Sequence, residues 1–130
     1  MIASLEGKVA AVAGDHLVVV VNGIGYKVFT PRNSLSLFEG EAVYLHTEMI
    51  VREDSITLYG FATVAERDVF NKLIMVSGVG PKLALSVLST ISIDTLRTAV
   101  ATGNPDLLGR IPGVGKKMGE KIVFELKDKL

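Results

Sequence analysis

Cysteine is absent from the chain, which excludes disulfides and thiolate metal sites. No apolar stretch approaches the ~20 residues needed to span a bilayer. The N-terminus, MIASLEGKVA, has no charged segment leading into a long apolar run, so it does not read as a secretory signal. Net charge is missing too, because 14 basic residues balance 14 acidic ones. These absences set the expectation of a soluble protein of the reducing cytoplasm with no membrane partner. What remains is a chain of 130 residues, 48% hydrophobic, sufficient for one ordinary domain or two small ones.

The zero net charge conceals an asymmetry. Residues 1–60 hold four Lys and Arg against seven Asp and Glu, a net of −3, whereas residues 61–130 hold ten against seven, a net of +3. A sign change along the chain predicts different jobs for its two halves.

The first half has the period of β-structure. Valine-rich segments at 8–12 and 17–21 are separated by Ala13-Gly14-Asp15-His16, and Asn22-Gly23-Ile24-Gly25 leads into an alternating segment at 26–30. Pro31-Arg32-Asn33 breaks that strand. Residues 41–51 and 56–61 supply two more strands, joined by Arg52-Glu53-Asp54-Ser55. Five short strands in this span predict a small closed barrel of the OB type, with a simple meander as the plainer alternative. From Val64 the period turns helical. Val69, Phe70, Leu73 and Ile74 form one stripe of a helix that should stop near Ser77-Gly78. Pro81 suits a first helical position, with Leu83, Ala84, Val87 and Leu88 facing inward. Ser92 or Asp94 can cap a third helix ending at Gly103, and Asn104-Pro105 restarts a short one. A last helix, from about 116 to 129, buries Met118, Gly119, Ile122, Val123 and Leu126. The expected fold class is therefore α+β in two domains: a five-stranded barrel at 1–62 and an all-α domain at 63–130.

Overlaying the helical segments exposes an internal repeat. Ser77-Gly78-Val79-Gly80-Pro81-Lys82-Leu83-Ala84 aligns with Pro112-Gly113-Val114-Gly115-Lys116-Lys117-Met118-Gly119 at an offset of 35 residues. In each copy the first glycine can take the positive φ that ends a helix, and the valine points back as a wedge. The second glycine leaves room for a phosphate oxygen at the N–H groups of the next helix, where the dipole favours an anion. Lys82, Lys116 and Lys117 add charge beside it. The plainer alternative is a tight turn between packed helices, which two copies in register, both followed by lysine, disfavour. A nucleotide-binding loop does not fit, since Arg110 occupies the first glycine position of a P-loop ending Gly115-Lys116, and Met118 that of a dinucleotide fingerprint. Two one-phosphate cradles suit the spaced phosphates of a nucleic acid backbone, contacts that position a duplex without reading its sequence.

The repeat is similar to paired helix-hairpin-helix motifs. Together with Met1-Ile2, Val51-Arg52-Glu53-Asp54 and Leu58-Tyr59-Gly60-Phe61, it resembles, over essentially the whole chain, the RuvA family. These are the non-catalytic DNA-binding subunits of the bacterial Holliday-junction branch-migration complex. The resemblance implies a homotetramer, one or two per junction, that holds a four-way DNA junction open and nearly square. Recombination, DNA repair and the SOS response to DNA damage are the settings it implies. Carried over by position, the phosphate-binding hairpins comprise Gly78, Val79, Gly80, Lys82, Gly113, Val114, Gly115, Lys116, Lys117 and Lys121. Lys121 lies four residues after Lys117, on one helix face. Glu53 and Asp54 correspond to the family's acidic pin. Gathered from four copies at the crossover, their carboxylates would repel phosphates at a cost of several kcal/mol and so favour a junction over linear duplex. The implied partners are the RuvB motor ATPase and, as a further candidate, the RuvC resolvase. Two departures stand out. Gly119 replaces the more usual alanine, weakening its helix by about 1 kcal/mol or less. The sequence also ends at Leu130, before the family's third, RuvB-contacting domain, so coupling through that domain is not expected.

No cofactor is expected. His16 and His46 lack the cysteine or carboxylate company of a metal site, and no serine, histidine and acid stand in a nucleophile motif. Glu53-Asp54 lack the further carboxylates a Mg²⁺ nuclease needs. Tyr26, Tyr44 and Tyr59 can stack on bases or serve the barrel. Besides junction binding, three readings stay open: a generic helix-hairpin-helix duplex binder, a protein-binding adaptor, and an ATPase or nuclease using one Gly-Val-Gly loop.

Overall fold

The computed structural model describes residues 1–32 and 36–130, so Asn33 of the expected strand-breaking triplet lies outside the described residues. The chain divides into two compact units, Met1–Arg67 and Asp68–Leu130.

The first unit is a closed five-stranded barrel. Its strands are β1 (Ser4–Val12), β2 (His16–Val21), β3 (Ile24–Phe29), β4 (Ala42–Val51) and β5 (Ile56–Phe61), arranged β1-β2-β3-β5-β4. Closure depends on β1, whose first half pairs with β4 from Ser4 to Lys8 and whose second half pairs with β2 from Lys8 onward. The strand turns this corner through a bulge between Val9 and Ala11 and a backbone approach at Gly7, where any Cβ would run into the Val20 carbonyl oxygen. On the other side, β3 and β5 run parallel over Val28↔Leu58 and Phe29↔Tyr59. The β2–β3 turn is Asn22-Gly23, with φ 51° and 84°, the left-handed pair that matches strand twist in a two-residue hairpin. Alternate residues fill the interior: Leu5, Val9, Leu17, Val19, Val28, Val43, Leu45 and Leu58. Strand β1 begins at Ser4 rather than at Lys8, because Leu5 is buried and the Gly7 that looks like a breaker is a packing contact.

The helical part comprises α1 (Val64–Ile74), α2 (Pro81–Thr90), α3 (Ile93–Thr102), a single 3-10 turn (Pro105–Leu108) and α4 (Lys116–Leu126). The Thr63 hydroxyl caps α1 by accepting the Glu66 N–H at 3.1 Å. That helix ends at Ile74, short of Ser77-Gly78, because the Met75 and Val76 N–H groups bond back three residues, to Lys72 and Leu73, tightening the chain out of the α-helix. Ser92 is the cap of α3, accepting the Thr95 N–H at 3.0 Å, and Gly103 ends it at φ 64°. On α2, Ala84 and Val87 are buried while Leu83 and Leu88 are half-buried. Helix α4 stops at Leu126, since Lys127 turns extended and Asp128 takes φ 71°. Among the described residues, no single helix is long and apolar enough to cross a membrane.

Candidate nucleic-acid interface

The two Gly-Val-Gly turns have the same backbone. Gly78 and Gly113 both sit at φ 89°, a conformation L side chains rarely adopt. The next residues, Val79 and Val114, are only 4% and 6% exposed, and their N–H groups donate to the Val76 and Ile111 carbonyls, each at 3.0 Å. The valines are thus buried wedges, and their side chains do not face an incoming ligand.

The second glycines are different. Gly80 (φ −91°, ψ 177°) and Gly115 (φ −87°, ψ −177°) are extended, a geometry open to any residue. A Cβ added to either would meet nothing within 4 Å. Neither backbone strain nor packing within the chain requires glycine there. The missing side chain leaves open the approach to the first N–H groups of α2 and α4.

Those helix starts differ from the others. Helices α1 and α3 and the 3-10 turn begin with a side-chain cap (Thr63, Ser92, Asn104) and carry an acid in the first turn (Glu66, Asp94, Asp106). Helices α2 and α4 have no side-chain cap and no acid. Their first turns hold instead the exposed Lys82, Lys116 and Lys117. A cation at the positive end of a helix dipole costs about 0.3–1 kcal/mol, and each uncapped start leaves donors unsatisfied. An anion would offset both. Lys121, four residues beyond Lys117 on α4, is half-buried.

The two motifs also interlock. A Cβ on Gly78 would lie 3.1 Å from Met118 Cε of the second motif, and one on Gly113 would lie 3.0 Å from Leu83 Cδ1 of the first. Residues 83 and 118 hold equivalent positions in the repeat, so each turn is packed by the other motif's helix. The Ser86 hydroxyl donates to the Pro112 carbonyl at 3.0 Å, adding a polar tie across the same seam. Sequence periodicity assigned Leu83 and Met118 to buried stripes but did not reveal this exchange; their equivalence in the repeat was the available signal. Gly119 is buried, and a Cβ there would make ordinary contact with Pro105, 3.4 Å from its carbonyl oxygen.

In the barrel unit, Glu53 and Asp54 are exposed at the tip of the β4–β5 hairpin, whose turn is closed by the Arg52 N–H donating to the Ser55 carbonyl at 2.8 Å. Far along the same sheet, His16 lies 2.7 Å from Asp15, whose carboxyl this hydrogen bond holds below its ordinary range. Tyr26 packs against the barrel core, Tyr59 against Phe29, and the exposed Tyr44 against His46. Among the described residues, no three His, Cys, Asp or Glu side chains group as metal ligands.

Comparison with known proteins matches both units. The family model described as the RuvA N terminal domain matches residues 1–60, and that described as a SAM-like helix-hairpin-helix tandem matches residues 70–128. Three similar relatives each carry the name Holliday junction branch migration complex subunit RuvA. The one from Chloroflexus aggregans is 48% identical over 132 residues, covering 100% of this chain and 68% of its own length. That from Roseiflexus sp. (strain RS-1) is 48% identical over 132 residues, covering 100% and 67%. That from Mycobacterium sp. (strain KMS) is 50% identical over 131 residues, again covering 100% and 67%.

Proposed function

Because this chain belongs to the RuvA family, we propose that it binds four-way DNA junctions as a non-catalytic subunit of a branch-migration complex, its hairpins gripping the backbone of the junction arms. The observation that carries the reading is the pair of second glycines, Gly80 and Gly115, which nothing inside the protein requires and which lead into uncapped helix starts set with lysines. A phosphate oxygen seated there accepts backbone N–H groups and meets the ammonium groups of Lys82, Lys116 and Lys117, with Lys121 adding charge from the next turn of α4. These contacts are sequence-independent, as a scaffold that must serve any junction requires.

In this reading four copies assemble around a fourfold axis and hold the junction open and square, with RuvB as the motor that drives migration. The Glu53 and Asp54 turns then face the crossover. Their carboxylates disfavour a continuous duplex through the centre, where like charges would meet phosphates. Attraction at the hairpins and repulsion at the barrel turn together account for the opposite charges of the two halves.

The test is fluorescence anisotropy against a four-way junction and a linear duplex of equal length, across a salt series. Tight junction binding with a steep negative slope of log K against log salt is the expected result. Glu53→Gln with Asp54→Asn should narrow the preference by strengthening duplex binding. Equal affinity of the unaltered protein for both DNAs would refute the junction reading and leave a generic duplex binder.

A further inference from the structure

The hairpin that carries Glu53 and Asp54 carries a second feature. Along β4, alternation turns Val43, Leu45, Thr47 and Met49 toward the barrel interior, and along β5 it does the same for Leu58 and Gly60, as the buried positions record and as does Gly60, where an added Cβ would run into Val28 and Leu45. The next residues in that inward series are Val51 and Ile56, which pair directly across the ladder. Both have run past the end of the core: Val51 is 61% exposed and Ile56 is 71% exposed. Opposed side chains on one face of an antiparallel pair touch, so the two form a single apolar ledge immediately beneath the acidic turn.

We propose that this ledge holds the face of an unpaired nucleobase at the junction crossover, an inference that rests on the junction-binding reading above. The choice of occupant follows from the local chemistry. Carboxylates two residues from either ledge residue repel a phosphate, so the DNA backbone is a poor occupant. A nucleobase suits both the ledge and its acidic rim, since its faces are apolar and its edges carry N–H donors that Glu and Asp accept. Aliphatic side chains are known to wedge against base steps and part them, and contact with a base face is tolerant of sequence. Repulsion by the acids would part the strands, and the ledge would keep a released base from stacking again.

The experiment places 2-aminopurine beside the crossover of a synthetic four-way junction and compares the unaltered protein with V51S/I56S and V51L/I56L, all retaining Glu53 and Asp54. The unaltered protein should raise the fluorescence as the base unstacks. The serine variant should bind the junction yet lose most of that rise, and the leucine variant should keep it. A serine variant that raises fluorescence as fully as the unaltered protein would overturn the ledge while leaving junction binding intact. A change in oligomeric state on sedimentation of the serine variant would also overturn it, making the pair a contact between copies. Failure of the unaltered protein to prefer junctions would remove the ledge together with the reading beneath it.

Discussion

The two glycines of each Gly-Val-Gly turn have separable duties, and alanine substitution at each distinguishes them. At Gly78 or Gly113 alanine must adopt φ 89°, and left-handed backbone costs an L-residue roughly 1–2 kcal/mol. The new Cβ also presses, at 3.1 and 3.0 Å, on the ends of Met118 and Leu83, flexible tips that can yield. Each such variant should lose about 1–2 kcal/mol of stability, a sizeable share of the roughly 5–15 kcal/mol typical of a folded protein. At Gly80 and Gly115 the backbone is extended and the surrounding space open. There alanine gains about 0.4–1 kcal/mol by restricting the unfolded chain and loses about 0.5–1 kcal/mol as the poorer helix cap, for a net change near zero. Its methyl group, however, stands where a phosphate would approach. Losing one hydrogen bond to a charged group costs about 1.5–3 kcal/mol, so each hairpin should forfeit about tenfold to a hundredfold in junction affinity. Urea denaturation measures the first quantity and junction anisotropy at fixed salt the second. If Gly80→Ala with Gly115→Ala left both stability and affinity unchanged, the backbone cradle would be refuted.

Charge reversal at Lys82 and at Lys116 should each make the salt slope of junction binding shallower by about 0.9, the contribution of one neutralised phosphate; an unchanged slope in anisotropy titrations would favour a protein-binding role. Gly119→Ala should raise stability to urea by up to about 1 kcal/mol, because a helix-interior glycine becomes alanine in a site with room for the methyl group. Glu66 sits above its ordinary carboxylate range because burial opposes its charge, against the lowering effect of Thr63. A raised folded-state pKa means that Glu66 costs stability once ionised, fully above that pKa and not at all below its unfolded value. Glu66→Gln, which keeps the capping pattern, should therefore be the more stable form at neutral pH and converge with the parent on acidification, as denaturation across pH would show.

Much of this architecture was legible because local and global signals agree. Valine alternation and the Asn22-Gly23 turn mark the first strands, and the offset between Gly78-Val79-Gly80 and Gly113-Val114-Gly115 marks the paired motifs. The misplacements have local causes. Gly7 resembles a strand breaker but is the point where two strands pass close, and Val76 continues a helical apolar series although its N–H closes a tighter turn. The closed barrel was legible from the number and length of its strands, but their order was not, since the short parallel pairing of Val28 and Phe29 with Leu58 and Tyr59 joins segments far apart in sequence. The exposure of Val51 and Ile56 was equally hidden, because a β-alternation cannot tell where a core ends.

The reciprocal seating of Gly78 under Met118 and Gly113 under Leu83 makes the two turns behave like jaws cut from one block. Neither helix start can drift without disturbing its counterpart, so the gap between them is a dimension held by the packing of one motif on the other. Exchanging Leu83 or Met118 for a bulkier side chain would change a length where altering a lysine changes a force. If each start seats a phosphate as proposed, the protein gauges how far apart two anchoring points lie before it responds to what they are made of.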